Sequence, residues 1–315
     1  MPNKQSVYFL KPDQWRDIPA ALDTIGIGNL IGRNDFVAIK IHFGEKGNKG
    51  YIKPELIKPV IKKIKELGAF PFVTDANTIY RGERTDAAHH LMLAAEHGFH
   101  PKFLRCPVVI ADGLRGNSYI NVDISEPSPV QPKHFHKVKI AEAIYYADAI
   151  VAVSHFKGHD LCGIGGAIKN LGMGCAARPG KYEQHNSVVP EVNAALCTAC
   201  GACVKWCSGG ALILASRDVI ASPPQADEAI PCKQLNIGDC HAPSGLAMTI
   251  SLDPSKCIGC GQCILACNYK VFSLPWNESS KAVQEKAAEY ALGAIKRKKT
   301  IFINSLTFIT KSCDC

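Results

Sequence analysis

The sequence predicts an α/β protein on a mainly parallel sheet, with a smaller α+β domain set into it. Three observations carry this expectation. β-rich runs alternate with helical periods through residues 1–190. A four-cysteine pattern then occurs twice between residues 191 and 275. After it, a helical period and a β-rich run of the first kind return. The expected organisation is 1–190 as the first part of an α/β domain, 191–275 as the cysteine domain, and 276–315 as the return to the α/β domain.

The elements follow from local pattern. DFVAIKIHF (35–43) is a β-rich run. KPELIKPVIKKIKELG (53–68) places Leu56, Ile57, Val60, Ile61, Ile64 and Leu67 at helical spacing and ends at Gly68. Pro54 suits its first turn, whereas Pro59 is expected to kink it or to end a first short piece. FPFVTDA (70–76) reads as the next strand. TDAAHHLMLAAEHG (85–98) reads as a helix capped by Thr85 and stopped by Gly98. PVVIADG (107–113) is a third strand, KIAEAIYYAD (139–148) a helix, and AIVAVSHF (149–156) a buried strand. SSKAVQEKAAEYALGAIKRKK (279–299) is a helix capped by Ser279 or Ser280, and TIFINSLTFI (300–309) a strand.

Bulk properties exclude some classes. Apolar residues make up 47% and charged residues 20% of 315, ordinary for a globular protein. No apolar run reaches the roughly 18 residues that a membrane span needs. The N-terminus has neither a signal core nor a small-residue cleavage site, so a cytoplasmic location is expected. The formal charge is +8, but Lys and Arg are spread out apart from KRKK at 296–299, which argues against nucleic acid as a partner.

Ligands of open parallel sheets bind beyond the carboxyl ends of the strands. Three such ends carry reactive residues. The first holds Lys40, His42, Glu45, Lys46 and Lys49, and the second Asp75, Asn77, Arg81 and Arg84. The third is the richest: SHFKGHDLCGIGGAIKNLGMG (154–174) has six glycines after a buried strand, with His155, Lys157, His159, Asp160, Cys162 and Lys169. His155, Lys157, His159 and Lys169 are the candidate catalytic residues. Backbone N–H groups at the start of AIKNL, with Lys157 and Lys169, suit an anion. The competing reading is that the glycines only make turns and the histidines only satisfy backbone groups.

The 15 cysteines point to metal, because a cytosolic chain seldom keeps disulfides. Cys197, Cys200, Cys203 and Cys207 are spaced C-x2-C-x2-C-x3-C, and Cys257, Cys260, Cys263 and Cys267 repeat that spacing. Gly201 and Gly261 hold the same place in each copy and permit a tight backbone path on which three thiolates converge. Zinc sites are the alternative, but they usually use C-x2-C pairs set well apart. The two runs resemble a bacterial-type ferredoxin domain with two [4Fe–4S] clusters. That resemblance assigns Cys197, Cys200, Cys203 and Cys267 to one cluster, and Cys257, Cys260, Cys263 and Cys207 to the other. With two clusters each carrying about −2, the net charge would fall to roughly +4.

The chain departs from the ferredoxin pattern twice. Ser208 and Asn268 stand where a proline usually follows the fourth cysteine. The interval between Cys207 and Cys257 is also about twice what a compact ferredoxin needs. Residues of about 216–246 read as a loop insertion, similar to a translated intergenic repeat, with Cys232, Cys240 and His241 as passengers.

SHFKGHDLCGIGGAIKNLGMG, KIHFGEKGNKGYIKP (40–54) and the closing CDC resemble the family called domain of unknown function 362, in its form with a ferredoxin insertion. The resemblance implies a fold and a label of iron–sulfur protein, and no reaction. It also implies a segment beyond SCDC, so the last part is expected to be truncated. Cys313 and Cys315 would then lie near the glycine-rich loop, where with Cys162, Cys175 and the histidines they are candidate ligands of a further metal. The expected function is an iron–sulfur redox protein whose two clusters pass electrons to or from an anionic ligand or metal site on the α/β domain. The alternatives are a non-enzymatic electron carrier, a module that binds a redox partner protein, or the product of a decaying gene.

Overall fold

In the computed structural model, Phe36–Lys40 forms strand β1, which is buried on both faces. Val37 and Ile39 enter one hydrophobic core and Ala38 enters a second. Such a two-faced strand belongs inside a parallel sheet covered on both sides. The remaining strands of that sheet are β2 (Phe70–Asp75), β3 (Val108–Ile110), β6 (Ala149–His155) and β13 (Lys299–Ser305), in the order β13-β6-β1-β2-β3. All four pairings are parallel. The mainly parallel α/β architecture read from the sequence is therefore present. From β1 the chain winds through β2 to β3 on one side, and later through β6 to β13 on the other. The change of direction falls at the carboxyl ends of β1 and β6, the place where open sheets of this kind bind ligands.

The structure describes residues 7–125, 131–159, 161–185, 189–216, 248–273, 279–307 and 309. Two compact units divide the chain: Met1–Ser187 with Asn277–Cys315, and Val188–Trp276. In the first, the helix Pro54–Glu66 buries Ile57, Val60, Ile61 and Ile64 on one face of the sheet. The helix Ser280–Ile295 buries Tyr290, Ala291 and Ala294 on the other. Ser279 caps that helix by accepting the Ala282 N–H at 3.2 Å. Gly172, in the short helix Ala167–Gly172, lies so close to the Ser280–Ile295 helix that a Cβ would run into the Ala287 carbonyl.

Several elements differ from expectation. Residues 139–148 are not one helix. Lys137–Ala141 is strand β5, paired antiparallel with β4 (Tyr119–Asp123), and only Glu142–Tyr145 is helical. Val138 and Ile140 are buried between exposed or half-buried lysines, so the alternation of period two ran into a helical turn and was masked by it. Pro59 neither ends nor divides its helix. Asp86, not Thr85, caps the next helix, accepting the Ala88 and His89 N–H groups at 3.0 and 3.1 Å. Thr85 instead closes a turn with Gly82.

Among its described residues the second unit has two antiparallel pairs and two short α-helices. β9 (Glu191–Val192) pairs with β12 (Phe272–Ser273), and β10 (Leu212–Ser216) with β11 (Met248–Leu252). The helices are Ala202–Trp206 and Gln262–Ala266. Between β10 and β11 lies the interval read as an insertion; residues 217–247, with Cys232, Cys240 and His241, are outside the described residues, as are Asp160, Cys313 and Cys315.

Gly172→Ala should cost about 1–3 kcal/mol through overpacking. At roughly 2–4 °C per kcal/mol, calorimetry should show a clear fall in Tm. An unchanged Tm would mean the two helices do not need that close approach.

Candidate functional site

The carboxyl edge of the parallel sheet gathers ionised groups that a hydrophobic interior would not tolerate singly. Lys40 ends β1 at 1% exposure. Its ammonium donates to Asn170 Oδ1 at 2.8 Å and to the Ile41 carbonyl at 3.0 Å, and pairs with Asp75 Oδ1 at 2.9 Å. Asp75 ends β2, and its Oδ2 faces Arg84 Nη1 at 3.3 Å and His90 Nε2 at 3.8 Å. Arg84 continues to Glu45, with Nε 2.7 Å from Oε1 and Nη2 in closer contact. The Tyr80 hydroxyl donates to the same oxygen at 2.6 Å. Burial works against an ionised Asp75, but Lys40, His90 and Arg84 outweigh it and hold the carboxyl well below its usual range.

His42 and His90 lie within this network. The Gly44 N–H donates to His42 Nδ1 at 3.0 Å, so the neutral ring carries its proton on Nε2. Burial first, then the charge of Arg84, keeps His42 well below its ordinary pKa, against the pull of Asp75. His90 is fully buried, packs edge-on against Phe43, and has no hydrogen-bond partner on either ring nitrogen among the described residues. Burial depresses it to about 3.

A second group adjoins the ends of β2 and β3. Asp112 Oδ1 accepts both the backbone N–H and the Nδ2 of Asn77, at 2.9 and 2.8 Å. Its Oδ2 is buried without a hydrogen-bond partner among the described residues. Burial raises Asp112 above the usual carboxylate range, although Lys181 opposes that. Burial lowers Lys181 to about 8, and its ammonium donates to the Ala176 carbonyl at 2.7 Å. Arg178, 1% exposed, donates through Nε to the Thr78 carbonyl at 3.0 Å and through Nη2 to the Thr85 carbonyl. Five buried cations, Lys40, Arg84, Lys157, Arg178 and Lys181, thus stand beside Asp75, Asp112 and the half-buried Glu45.

The glycine-rich loop divides its residues between different neighbourhoods. β7 (Lys157–His159) and β8 (Gly163–Gly165) form a small hairpin, so part of the glycine content serves a turn. Lys157 is buried, and its charge acts on His42. His155 Nε2 meets the Thr307 carbonyl at 2.9 Å. His159 Nδ1 accepts the Cys162 N–H at 3.0 Å. The charges of Lys169 and His159 act on His185, which burial lowers to about 4. Lys157 thus acts on His42 beside the Lys40 network, while Lys169 and His159 act on His185. The helix after the loop spans only Ala167–Gly172, too short to present an anion site of its own. Asn170, on that helix, is the residue the sequence reading missed: its Nδ2 donates to the Val153 carbonyl and to Ser154 Oγ while its Oδ1 holds Lys40. Asp112, Arg178 and Lys181 were missed too, and the only sequence signal was an acidic residue closing the third strand.

The second unit brings its cysteines together in two sets. Gly201 (φ +69°) and Gly261 (φ +62°) begin the two short helices in the left-handed region. Ala199 (φ +57°) and Gly259 (φ +64°) hold the matched place two residues earlier. Burial, then the neighbouring Cys267, Cys197 and Cys200, push the Cys203 thiol up to about 11. Burial, then Cys260, Cys257 and Cys207, raise the Cys263 thiol. Each set thus draws three cysteines from one run and one from the other. Cys197, Cys200, Cys203 and Cys267 line one small cavity with Leu214, Ile250, Val271 and Phe272.

The donor set fits a thiolate-held iron–sulfur group. Backbone N–H groups already point at sulfur, Ala199 at Cys197 Sγ (3.3 Å) and Ala211 at Cys207 Sγ (3.2 Å). Gln262 Nε2 is the one buried side-chain polar atom of this unit without a hydrogen-bond partner among the described residues. All described cysteines are free thiols. Among the described residues no three His, Cys, Asp or Glu side chains converge tightly enough to hold a single metal ion. The further metal site expected near the glycine-rich loop is therefore not formed by the described residues, and its Cys313 and Cys315 lie outside them.

A family model described as "Domain of unknown function (DUF362)" matches residues 37–315. No curated protein matches the chain. A similar solved structure is that of the lactate racemase apoprotein from Thermoanaerobacterium thermosaccharolyticum, at 17% identity and a TM-score of 0.35. The match covers 57% of this chain and 43% of that one. No helix among the described residues is long and apolar enough to cross a membrane.

His90 sets a pH dependence. Unfolded, it gains a proton near pH 6.5; folded, it resists protonation down to about pH 3. Stability should therefore decline as pH falls through that window. His90→Leu should remove up to one proton from the slope, ~1.4 kcal/mol per pH unit, in denaturant titrations at stepped pH. An unaltered slope would show that folded His90 is protonated normally.

Proposed function

The chain belongs to the DUF362 family, whose description assigns no reaction, and from that premise we propose that it is an iron–sulfur redox protein. On this reading Val188–Trp276 is a ferredoxin-like domain with two [4Fe–4S] clusters. Cys197, Cys200, Cys203 and Cys267 would hold one, and Cys207, Cys257, Cys260 and Cys263 the other. The observation that carries the reading is the sorting of eight cysteines into two crossed sets of four. When bound, the clusters supply one-electron transfer. The chain's own residues hold them, wall one of them with apolar side chains, and direct N–H groups at their sulfurs.

The electrons would pass to or from a small anion at the carboxyl edge of the α/β unit. What supports this is the excess of buried cations at the carboxyl edge beside β1, where the charges of Arg84, Lys157 and Lys40 all act on His42. A second reading is a carrier that only meets a redox partner protein. The internal pairing of Lys40 with Asp75 and of Arg84 with Glu45 favours it, since those cations are already answered.

Anaerobic reconstitution should load about eight irons per chain. Cys203→Ser and Cys267→Ser should abolish the same EPR component of the reduced protein, and Cys207→Ser and Cys263→Ser the other. Fewer than about four irons, or loss of one component by both Cys267→Ser and Cys263→Ser, would overturn the crossed assignment. Lys157→Ala should weaken binding of inorganic phosphate or a small carboxylate, followed by calorimetry, and leave iron content unchanged. No anion binding by the unmodified protein would leave the carrier reading in possession.

A further inference from the structure

The cationic run KRKK at 296–299 takes no part in the carboxyl edge. It joins the end of the helix Ser280–Ile295 to the start of β13, and so lies at the amino edge of the same sheet. Beside it is an open cavity of about 460 Å³, within the usual range of small-molecule sites. The β4–β5 hairpin contributes Asn121, Val122, Asp123 and Ile140 to its lining, and Tyr145 adds an aromatic ring. Gly293 lets the helix come down onto the hairpin: a Cβ there would run into Val138 Cγ2 on β5.

Neutral acceptors hold two of the cations in place. Lys298 Nζ donates to the Tyr145 and Ala147 carbonyls, both at 2.5 Å, and Lys296 Nζ donates to the Asp123 carbonyl. A carbonyl fixes an ammonium without cancelling its charge. Lys296, Arg297 and Lys298 line the cavity against one carboxylate, Asp123, whose Oδ1 accepts the Ser125 N–H at 2.8 Å. Asp148, whose charge acts on Lys298, is outside the lining and accepts the Phe36 N–H at 2.7 Å. The lining therefore carries a net positive charge. Capping of the helix does not account for it. The two lysines reach β4 and the turn before β6, not the helix's own last carbonyls, and its last turn has no basic residue. Arg297 has a φ of +62°, at the place after a helix where glycine is usual. A side chain there costs roughly 1–2 kcal/mol. An arginine in a position that suits glycine points to a use for the guanidinium itself.

We propose that this cavity binds a nucleoside monophosphate, at a site separate from the carboxyl edge and independent of the clusters. The phosphate would lie against Arg297, Lys296 and Lys298, since its oxygens can accept from several charged donors at once. A phosphate alone would occupy only a small part of 460 Å³. The remaining surface suits a nucleoside. Val122, Ile140 and the Tyr145 ring, 39% exposed, offer apolar and aromatic contact to a flat base. Asp123 and Asn121 offer acceptors to its amino and hydroxyl groups. Lys298 Nζ lies 5.6 Å from the centre of the Tyr145 ring, so the cationic and aromatic parts of the wall adjoin.

Calorimetry of the full chain with adenosine monophosphate, and separately with inorganic phosphate, tests the proposal. The nucleotide should bind saturably, about tenfold or more tighter than phosphate, and more weakly as salt is raised. Arg297→Gly places the preferred residue at the left-handed position, so its Tm should equal or exceed that of the unmodified protein. It should nevertheless weaken nucleotide binding about tenfold or more, the value of one charge-assisted hydrogen bond. Lys296→Met should weaken binding in the same direction, and Tyr145→Leu should weaken the nucleotide without affecting phosphate. Lys62→Met removes an equal charge from an exposed site on another helix and should leave the affinity unchanged, as should Lys157→Ala at the carboxyl edge. No nucleotide binding, or binding unmoved in both Arg297→Gly and Lys296→Met, overturns the inference. Phosphate bound as tightly as the nucleotide overturns it too, as does a loss in Lys157→Ala with none in Arg297→Gly.

Discussion

A buried ammonium at the end of the central strand has to be answered, and its answer organises the carboxyl edge of the sheet. Lys40 is 1% exposed and pairs with Asp75 at 2.9 Å. That contact ties the end of β1 to the end of β2. Through Asn170 the same ammonium reaches β6, because that amide donates to the Val153 carbonyl and to Ser154. Asp75 passes the constraint to Arg84, and Arg84 passes it to Glu45 in the loop after β1. Three strand ends and two loops are therefore fixed by one chain of charge-assisted contacts. Removing one partner of such a pair typically costs about 3–5 kcal/mol, whereas replacing both by apolar groups is often neutral. Stability alone does not demand the arrangement.

The cysteine unit solves a different problem with different means. Its core is small, and part of it is cysteine: Cys203 and Cys267 are buried with Leu212, Ile250, Val271 and Phe272. Burial penalises the thiolate forms of Cys203 and Cys263, and both thiols are raised. Metal binding reverses that penalty, because a coordinated thiol is deprotonated outright. If clusters are bound as proposed, folding and cluster binding would be linked in this unit.

What was legible in the sequence was what repeats. The period-two and helical runs marked the five parallel strands and the helices Pro54–Glu66 and Ser280–Ile295 to within a few residues. The paired β4 and β5 were not seen, because Ile140 and Ala141 served both the alternation and the apparent helix that followed. Buried polar residues leave no periodic trace, so Asn170, Asp112, Arg178 and Lys181 were invisible until the strands brought their ends together. His155 and His159 stood out in the sequence because they lie close together in a glycine-rich run. In space they serve Thr307 and Cys162.

The crossed sorting of cysteines bears on how the unit accommodates its long interval. β10 and β11 pair in full register, Leu212 with Leu252 through to Ser216 with Met248, so the strands on either side of the interval are joined by their own ladder. β9 and β12 join the outer ends in the same manner. Each half then lends one cysteine to the other, Cys207 forward and Cys267 back. The halves are held at both edges and across the middle, and the connection between them has little left to specify. Closing a longer loop costs only about 0.6 kcal/mol per doubling of its length. Once the ladder is formed, the length between Cys207 and Cys257 is thermodynamically cheap.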